Sequence, residues 1–205
     1  MVRRVVMSAL CCYVAMIAAV KANEFNSTPR VADLVTPALI ESVREWASAD
    51  IVRLAVNSQN ARLGNLSSAQ IEALDQQWRA ERKADDKPLI AATLSNPLSV
   101  YLTRIQGQSL GLFVELFIMD NKGLNVGQSS ITSDFWQGDE AKFQKTYPVG
   151  PTTVFVDEPE WDDGKKIWRV QVNMAVTDRD AKTPIGAVTA EINLTEAARR
   201  RAAGI

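Results

Sequence analysis

Residues 112–129 read LFVELFIMDNKGLNVGQS, and this stretch decides the fold of the chain. Two apolar runs flank the tripeptide Asn121-Lys122-Gly123. Glycine readily adopts the positive φ that a tight turn between strands requires. The stretch therefore predicts two antiparallel strands joined by a hairpin turn.

A second hairpin and a closing strand follow. Residues 154–178 read VFVDEPEWDDGKKIWRVQVNMAVTD, and Asp162-Asp163-Gly164 separates two strand-like runs. The last strand is predicted in PIGAVTAEINL, residues 184–194. A polar, aromatic segment with a short helix lies between the two hairpins. We therefore expect about five antiparallel strands within residues 112–194.

The part upstream of the sheet, about residues 35–110, has helical periodicity. Thr36 is a predicted N-cap, and apolar residues recur at three- and four-residue spacing over roughly seven turns through Ala55. A capping-box pattern at Ser67–Gln70 begins a second helix that ends in a loop around residues 85–88. Asn96 begins a third helix that ends near Gln108. The sequence thus predicts one long helix and a helical hairpin that cover one face of the sheet, an α+β fold.

The first 22 residues have the pattern of a secretory signal peptide. Val2-Arg3-Arg4 forms a positively charged n-region, and residues 5–20 form an apolar run. Val20-Lys21-Ala22 has the small residues of a cleavage site. We expect a mature chain of residues 23–205, a single domain located in the periplasm. The alternative is an uncleaved anchor, although the apolar run is shorter than the roughly 20 residues that a spanning helix needs.

Composition excludes several kinds of chemistry. The sequence has no histidine, and its two cysteines, Cys11 and Cys12, lie in the predicted leader. Thiol catalysis, disulfides and the common Ser/His arrangements are therefore excluded from the mature chain. The acidic residues between 157 and 163 lack the spacing of a calcium loop. We expect no enzyme activity, no cofactor and no metal, and the net charge of −1 argues against a nucleic-acid partner.

Three segments together resemble the Cache superfamily of extracytoplasmic, PAS-like (PDC-type) sensor domains. They are MDNKGLNVGQS at 119–129, SDFWQGDEAKFQKTYPVGP at 133–151 and TPIGAVTAEINL at 183–194. The resemblance covers about residues 35–194, and the order of elements agrees with it. It implies a five-stranded, PAS-like antiparallel sheet and a domain that binds a small metabolite outside the cytoplasmic membrane.

Strand alternation indicates where such a ligand would lie. In IWRVQVNMAVT, residues 167–177, Trp168 and every second residue after it form an apolar face that should meet the long helix. Arg169, Gln171 and Asn173 share the opposite face. That face is either solvated or turned toward a pocket roofed by aromatic side chains from residues 133–151. The predicted roof consists of Phe135, Trp136 and Tyr147.

The resemblance also implies two charged anchors for an amino-acid ligand. The family's arginine, two residues before an aromatic pair, is replaced here by Ser133, whereas Asp178 matches the family's acidic residue. Arg169 is an alternative clamp for a ligand carboxylate, because a guanidinium binds a carboxylate with two hydrogen bonds. The competing interpretation makes Arg169 a surface cation beside Glu160 or Asp162.

The sequence therefore favours a sensor that binds an amino acid, organic acid or amine and passes this event to a membrane sensor kinase, cyclase or chemoreceptor. The alternative is a structural or partner-binding periplasmic protein with a vestigial pocket. The apolar face of the long N-terminal helix fits either packing within the subunit or a homodimer, and periodicity alone does not separate these two arrangements. Arg199–Arg201 is either a docking patch or a solvated helix end whose cations suit the helix dipole.

Overall fold

The structure is a computed structural model that describes residues 28–204, and a compact unit begins at Val31. The predicted signal peptide, residues 1–22, lies outside the described residues. Within them are eight helices and six strands. In chain order they are α1 Val31–Leu34, α2 Pro37–Ala47, α3 Asp50–Leu63, α4 Ser68–Glu81, α5 Pro88–Leu94, α6 Pro97–Gln108, β1 Phe113–Met119, β2 Asn125–Gln128, α7 Ala141–Gln144, β3 Val154–Val156, β4 Glu160–Asp162, β5 Ile167–Thr177, β6 Pro184–Asn193 and α8 Leu194–Ala203.

The strands form one antiparallel sheet in the order β2-β1-β6-β5-β3, with β4 also paired to β5. The expected fold class, an α+β fold with an antiparallel sheet, is confirmed. The sheet has six strands rather than five because the third predicted strand is divided at residues 157–159. Pro159 has no N–H with which to continue a ladder, so β3 and β4 pair with β5 as two short segments.

One face of the sheet carries the main hydrophobic core. Val170, Val172 and Met174 of β5 are buried on this face, as the alternation predicted. They pack in one cluster with Val52 and Val56 of α3 and with further apolar residues of α2 and α6. Burial of each such side chain stabilises the fold by about 1.5–3 kcal/mol. The apolar face is therefore occupied by helices, and the opposite face is the candidate for ligand binding.

The single long N-terminal helix predicted from periodicity is wrong. The chain forms α2 and α3, separated at Ser48 and Ala49, where Ala49 is extended with φ −64° and ψ 148°. The Arg53 side chain donates hydrogen bonds to the Ser48 carbonyl and to Asp50, which stabilises the new helix start. Periodicity missed the break because buried residues continue at helical spacing on both sides of it.

Helix α5 was also not expected, since residues 85–88 predicted only a loop. Pro88 is the first residue of α5, a position where its missing N–H has no cost. The buried Glu81 carboxylate accepts hydrogen bonds from the N–H groups of Leu89 at 2.8 Å and Ile90 at 2.9 Å. A side chain from α4 thus caps α5, and this contact depends on the tertiary fold.

Candidate functional site

A cleft of about 260 Å³ opens on the sheet face opposite the helical core, and we call it the sheet-face cleft. Its floor is formed by β5 and β6, and its walls come from the start of α7 and from the segment between β3 and β4. Its lining residues are Glu140, Ala141, Lys142, Asp157, Glu158, Glu160, Arg169, Val170, Gln171 and Glu191. Two of the predicted site residues, Arg169 and Gln171, are among them.

Strand register places the polar floor of the cleft. Arg169 and Gln171 are two residues apart on β5, so both side chains point to the same face. Gln171 pairs with Glu191 of β6, and Glu191 pairs in turn with Glu115 of β1. Side chains of directly paired residues lie on one face of a sheet. Three neighbouring strands thus contribute polar groups to this one area.

Arg169 is held by carboxylates within the chain. Its Nη1 lies 3.0 and 3.2 Å from the two carboxylate oxygens of Glu191, and its Nη2 lies 3.3 Å from Glu160. Burial alone would lower the pKa of Arg169, but the hydrogen bond and charge of Glu191, together with Glu160 and Asp162, raise it. The guanidinium therefore stays charged and already has carboxylate partners.

Lys142, the second cation of the cleft, is also held. Its Nζ lies 2.9 Å from Glu140 and donates to the side-chain oxygen of Gln137 at 3.2 Å. The same ammonium group lies 5.5 Å from the centre of the Phe117 ring, within the range of a cation–π contact. Lys142 thus joins the wall of the cleft to the polar face of the sheet.

Glu115 lies beside this charged area on β1. Burial raises the pKa of its carboxyl group, a hydrogen bond from Ser130 at 2.8 Å opposes that shift, and the charge of Glu191 adds to it. The polar sheet face therefore carries a carboxyl group whose ionisation is disfavoured by its surroundings.

Two members of the predicted aromatic roof lie elsewhere. Phe135 is buried against Trp78 of α4, with ring centres 5.3 Å apart, and its N–H donates to Asp75. Trp136 is half-buried, donates its indole N–H to the Lys122 carbonyl at 2.8 Å and faces a separate hollow beside α4. Neither ring lines the sheet-face cleft, because α4 offers Phe135 an apolar surface that the sequence pattern did not locate.

Tyr147 does cover the polar sheet face. It stacks on Phe143 of α7 at 5.1 Å, and this pair packs in a cluster with Phe117 and Met119 of β1 and Ala187 of β6. The inserted segment therefore roofs the face as expected, but through Phe143 and Tyr147. Phe143 had no role in the sequence interpretation, although it lies in the same aromatic segment.

The last two predicted site residues lie outside the lining of the cleft. Asn173 is fully buried, donates to the Phe155 carbonyl at 3.2 Å and accepts a 2.7 Å hydrogen bond from Thr189. Asp178 lies in the turn after β5, where its backbone N–H donates to the Thr183 carbonyl and its carboxylate accepts from the N–H of Arg179. Both residues have local structural partners.

Two further polar residues on this sheet face, Asn125 and Gln128, were missed by the sequence interpretation. A bulge in the β1–β2 pairing places Asn125 opposite Met119 and Gln128 opposite Phe117, so both amides reach the polar face although they are three residues apart. Both residues are buried and contact Thr132. No sequence signal located this bulge.

The three C-terminal arginines are bound within the domain. Arg199 and Arg200 pair with Glu196 at 2.7 and 2.8 Å, and these hydrogen bonds lower the pKa of Glu196 to about 2. Arg200 also donates to the Ser109 carbonyl, and Arg201 donates to the Asp33 carbonyl. These contacts agree with a helix end that is stabilised within the domain.

Among residues 28–204, no helix is both long enough and apolar enough to cross a membrane. In the same range, no group of three or more acidic, cysteine or histidine side chains is arranged to hold a metal ion.

Comparisons with known proteins give structural matches only. No protein-family model matches the sequence, and no curated protein matches it. The matching structures include the ligand-binding domain of the Pseudomonas aeruginosa amino acid chemoreceptor PctC with GABA (13% identity, 78% of this chain, TM-score 0.36). They also include those of Campylobacter jejuni Tlp3 with L-valine (15%, 80%, 0.38) and Pseudomonas fluorescens CtaA with L-alanine (14%, 77%, 0.35). The chain spans 58%, 66% and 60% of the lengths of these three solved chains, which are ligand-binding domains of chemoreceptors.

Proposed function

We propose that this chain is a non-enzymatic sensor domain that binds a small metabolite in the sheet-face cleft. The observation that supports the proposal is the convergence of Arg169, Gln171 and Glu191 from paired strands in one concave site. Within residues 28–204 the side-chain amide of Gln171 makes no hydrogen bond, so it is free to bind a ligand. A few converging polar groups in a concave site are typical of small-molecule recognition.

The proposal includes export to the periplasm through the signal peptide at residues 1–22, followed by transfer of the binding event to a membrane kinase, cyclase or chemoreceptor. A homodimer through α3 is part of the same proposal. Leu54 on this helix is 66% exposed, and it lies in a groove with Ile51 and Ala55. Burial of such a leucine in a dimer would remove apolar surface from water.

Thermal-shift screening of amino acids, organic acids and amines tests ligand binding. A ligand at 100 times its Kd stabilises the folded state by about 2.7 kcal/mol, which raises Tm measurably. Changing Gln171→Ala should abolish the shift with little effect on the ligand-free Tm, because the amide has no partner in the described domain. Gln108→Ala, an exposed change on α6, is the matched control and should keep the shift.

The alternative function is a partner-binding protein with a vestigial pocket. It is favoured by the fact that Arg169 is already paired with the carboxylates of Glu160 and Glu191. The same screen separates the two functions. No Tm shift with any compound, together with a partner recovered equally by the parent protein and Gln171→Ala, would support the alternative.

A further inference from the structure

We propose that the sheet-face cleft selects a small organic cation, such as a primary amine or a guanidinium compound, and rejects ligands that depend on a free carboxylate. This inference rests on the proposed ligand-binding function and adds the chemical class of the ligand. It follows from the charges that line the cleft and from the partners that those charges already have.

Carboxylates exceed cations in the lining of the cleft. Five lining residues are acidic and two are basic. The acidic ones are Glu140, Asp157, Glu158, Glu160 and Glu191, and the basic ones are Lys142 and Arg169. A cleft lined mainly by one sign of charge raises the local concentration of ligands of the opposite sign. The cleft should therefore attract cations.

Both cations are already paired with carboxylates, and Arg169 Nε, which has no hydrogen-bond partner, is buried away from an entering ligand. Arg169 uses one guanidinium nitrogen for both oxygens of Glu191 and another for Glu160, and Lys142 is held by Glu140. An entering carboxylate would have to displace Glu191, which is only 3% exposed. Loss of Arg169 would leave the Glu191 charge buried without its partner, which is costly.

Unpartnered ligand-binding groups remain in the cleft, and one of them is anionic. Within residues 28–204 the Glu158 carboxylate makes no ion pair or hydrogen bond, although it lines the cleft. Within the same residues, the side-chain amide of Gln171, which also lines the cleft, is unpaired and offers a carbonyl oxygen as an acceptor. An ammonium or guanidinium group carries only donors, so these two acceptors match it.

Nearby aromatic rings already accept cations on their faces. Lys142 lies over Phe117 at 5.5 Å, and Lys145 lies over Phe155 at 4.2 Å. Both lysines belong to the α7 region that forms one wall of the cleft. This arrangement shows that the surroundings of the cleft stabilise ammonium groups in two ways, by carboxylates and by π faces.

Three ligands with the same four-carbon chain provide a sharp test by isothermal titration of the protein. Putrescine has two ammonium groups, 4-aminobutyrate has one ammonium and one carboxylate, and succinate has two carboxylates. We expect the affinity to fall at least tenfold from putrescine to 4-aminobutyrate, with no measurable binding of succinate. Putrescine binding should weaken as salt is raised, because salt screens the attraction.

Two variants place the interaction in the cleft. Glu158→Gln removes an exposed, unpaired charge and should weaken putrescine binding about tenfold without affecting folding. Glu191→Gln should weaken putrescine binding further. It should also release Arg169 from its ion pair, so the guanidinium can bind a carboxylate and succinate should begin to bind. Glu45→Gln, the same charge change on an exposed position of α2, is the control and should leave putrescine affinity within twofold.

Succinate or 4-aminobutyrate binding as tightly as putrescine would overturn the inference. If that binding were lost in Gln171→Ala, the proposed ligand-binding function would stand and only the ligand class would be wrong. Putrescine affinity that is unchanged in Glu158→Gln would also overturn the inference, whether or not Glu191→Gln folds. Failure of all three ligands to bind would overturn it as well, and the wider metabolite screen would then decide the proposed function separately.

Discussion

Replacing Phe135 by alanine should destabilise the domain severely, because the ring belongs to a hydrophobic cluster and not to the roof of the ligand site. Phe135 is 4% exposed, stacks on the fully buried Trp78 at 5.3 Å and packs with Ile71 and Ile90. Removal of a buried phenylalanine costs about 3–5 kcal/mol from lost burial and the cavity left behind. A domain of this size has roughly 5–15 kcal/mol of stability in total.

Urea unfolding of each variant, followed by tryptophan fluorescence, measures this loss, since Trp78 lies beside the substituted ring. Trp136→Ala should cost less, about 1–3 kcal/mol, because the indole is half-buried and loses one hydrogen bond to Lys122. Trp161→Ala is the control. Its side chain is 42% exposed, so we expect a change within about 1 kcal/mol.

A cost below about 1 kcal/mol for Phe135→Ala would refute the reasoning. If ligand binding were lost at the same time, Phe135 would be a member of the binding site, as the sequence pattern first indicated. A large loss of stability, with the folded fraction still able to bind ligand, would agree with the packing seen in the structure.

Two further changes test the polar face and the first hairpin. Burial raises the pKa of Glu115, so the folded state favours the protonated form and stability falls as pH rises from the ordinary carboxyl pKa through the folded value. Glu115→Gln should therefore be more stable than the parent at pH 7, and it should lose less stability between pH 4 and pH 7. Urea unfolding midpoints across this pH range measure the difference. Midpoints that match those of the parent would contradict the prediction. Gly123→Ala should cost at least about 1–3 kcal/mol, because φ is +82° and the added Cβ would lie 2.5 Å from the Gly138 backbone. Gly107→Ala, in an open helical position, should leave Tm unchanged or higher, and equal effects of the two glycine changes would contradict the strain at Gly123.

Local chemistry determined the elements that could be predicted from sequence. The Gly123 turn lies where the first hairpin was expected, with positive φ. The predicted helix starts are also present: Thr36 accepts from the Leu39 N–H, Ser67 and Gln70 form a capping box, and Asn96 accepts from the Ser99 N–H. These capping contacts join residues three positions apart, so the sequence contains all the information they need.

Alternation along β5 correctly divided the sheet into an apolar and a polar face. It could not show that Arg169 would meet Glu191, 22 residues away, because that contact depends on the register of β5 with β6. The predicted ligand clamp is thereby held in an ion pair within the domain. That the seven site residues predicted from the sequence bind a ligand stays a prediction.

The position of Phe135 was decided only by the tertiary structure. The aromatic segment has apolar surfaces available both on the sheet and on α4. The chain places Phe135 against Trp78 because Asp75 of the same helix accepts the N–H groups of Phe135 and Trp136 at 2.8 and 3.0 Å. Periodicity determines which face of an element is apolar, but the choice between two apolar surfaces depends on polar partners that the fold brings together from distant parts of the chain.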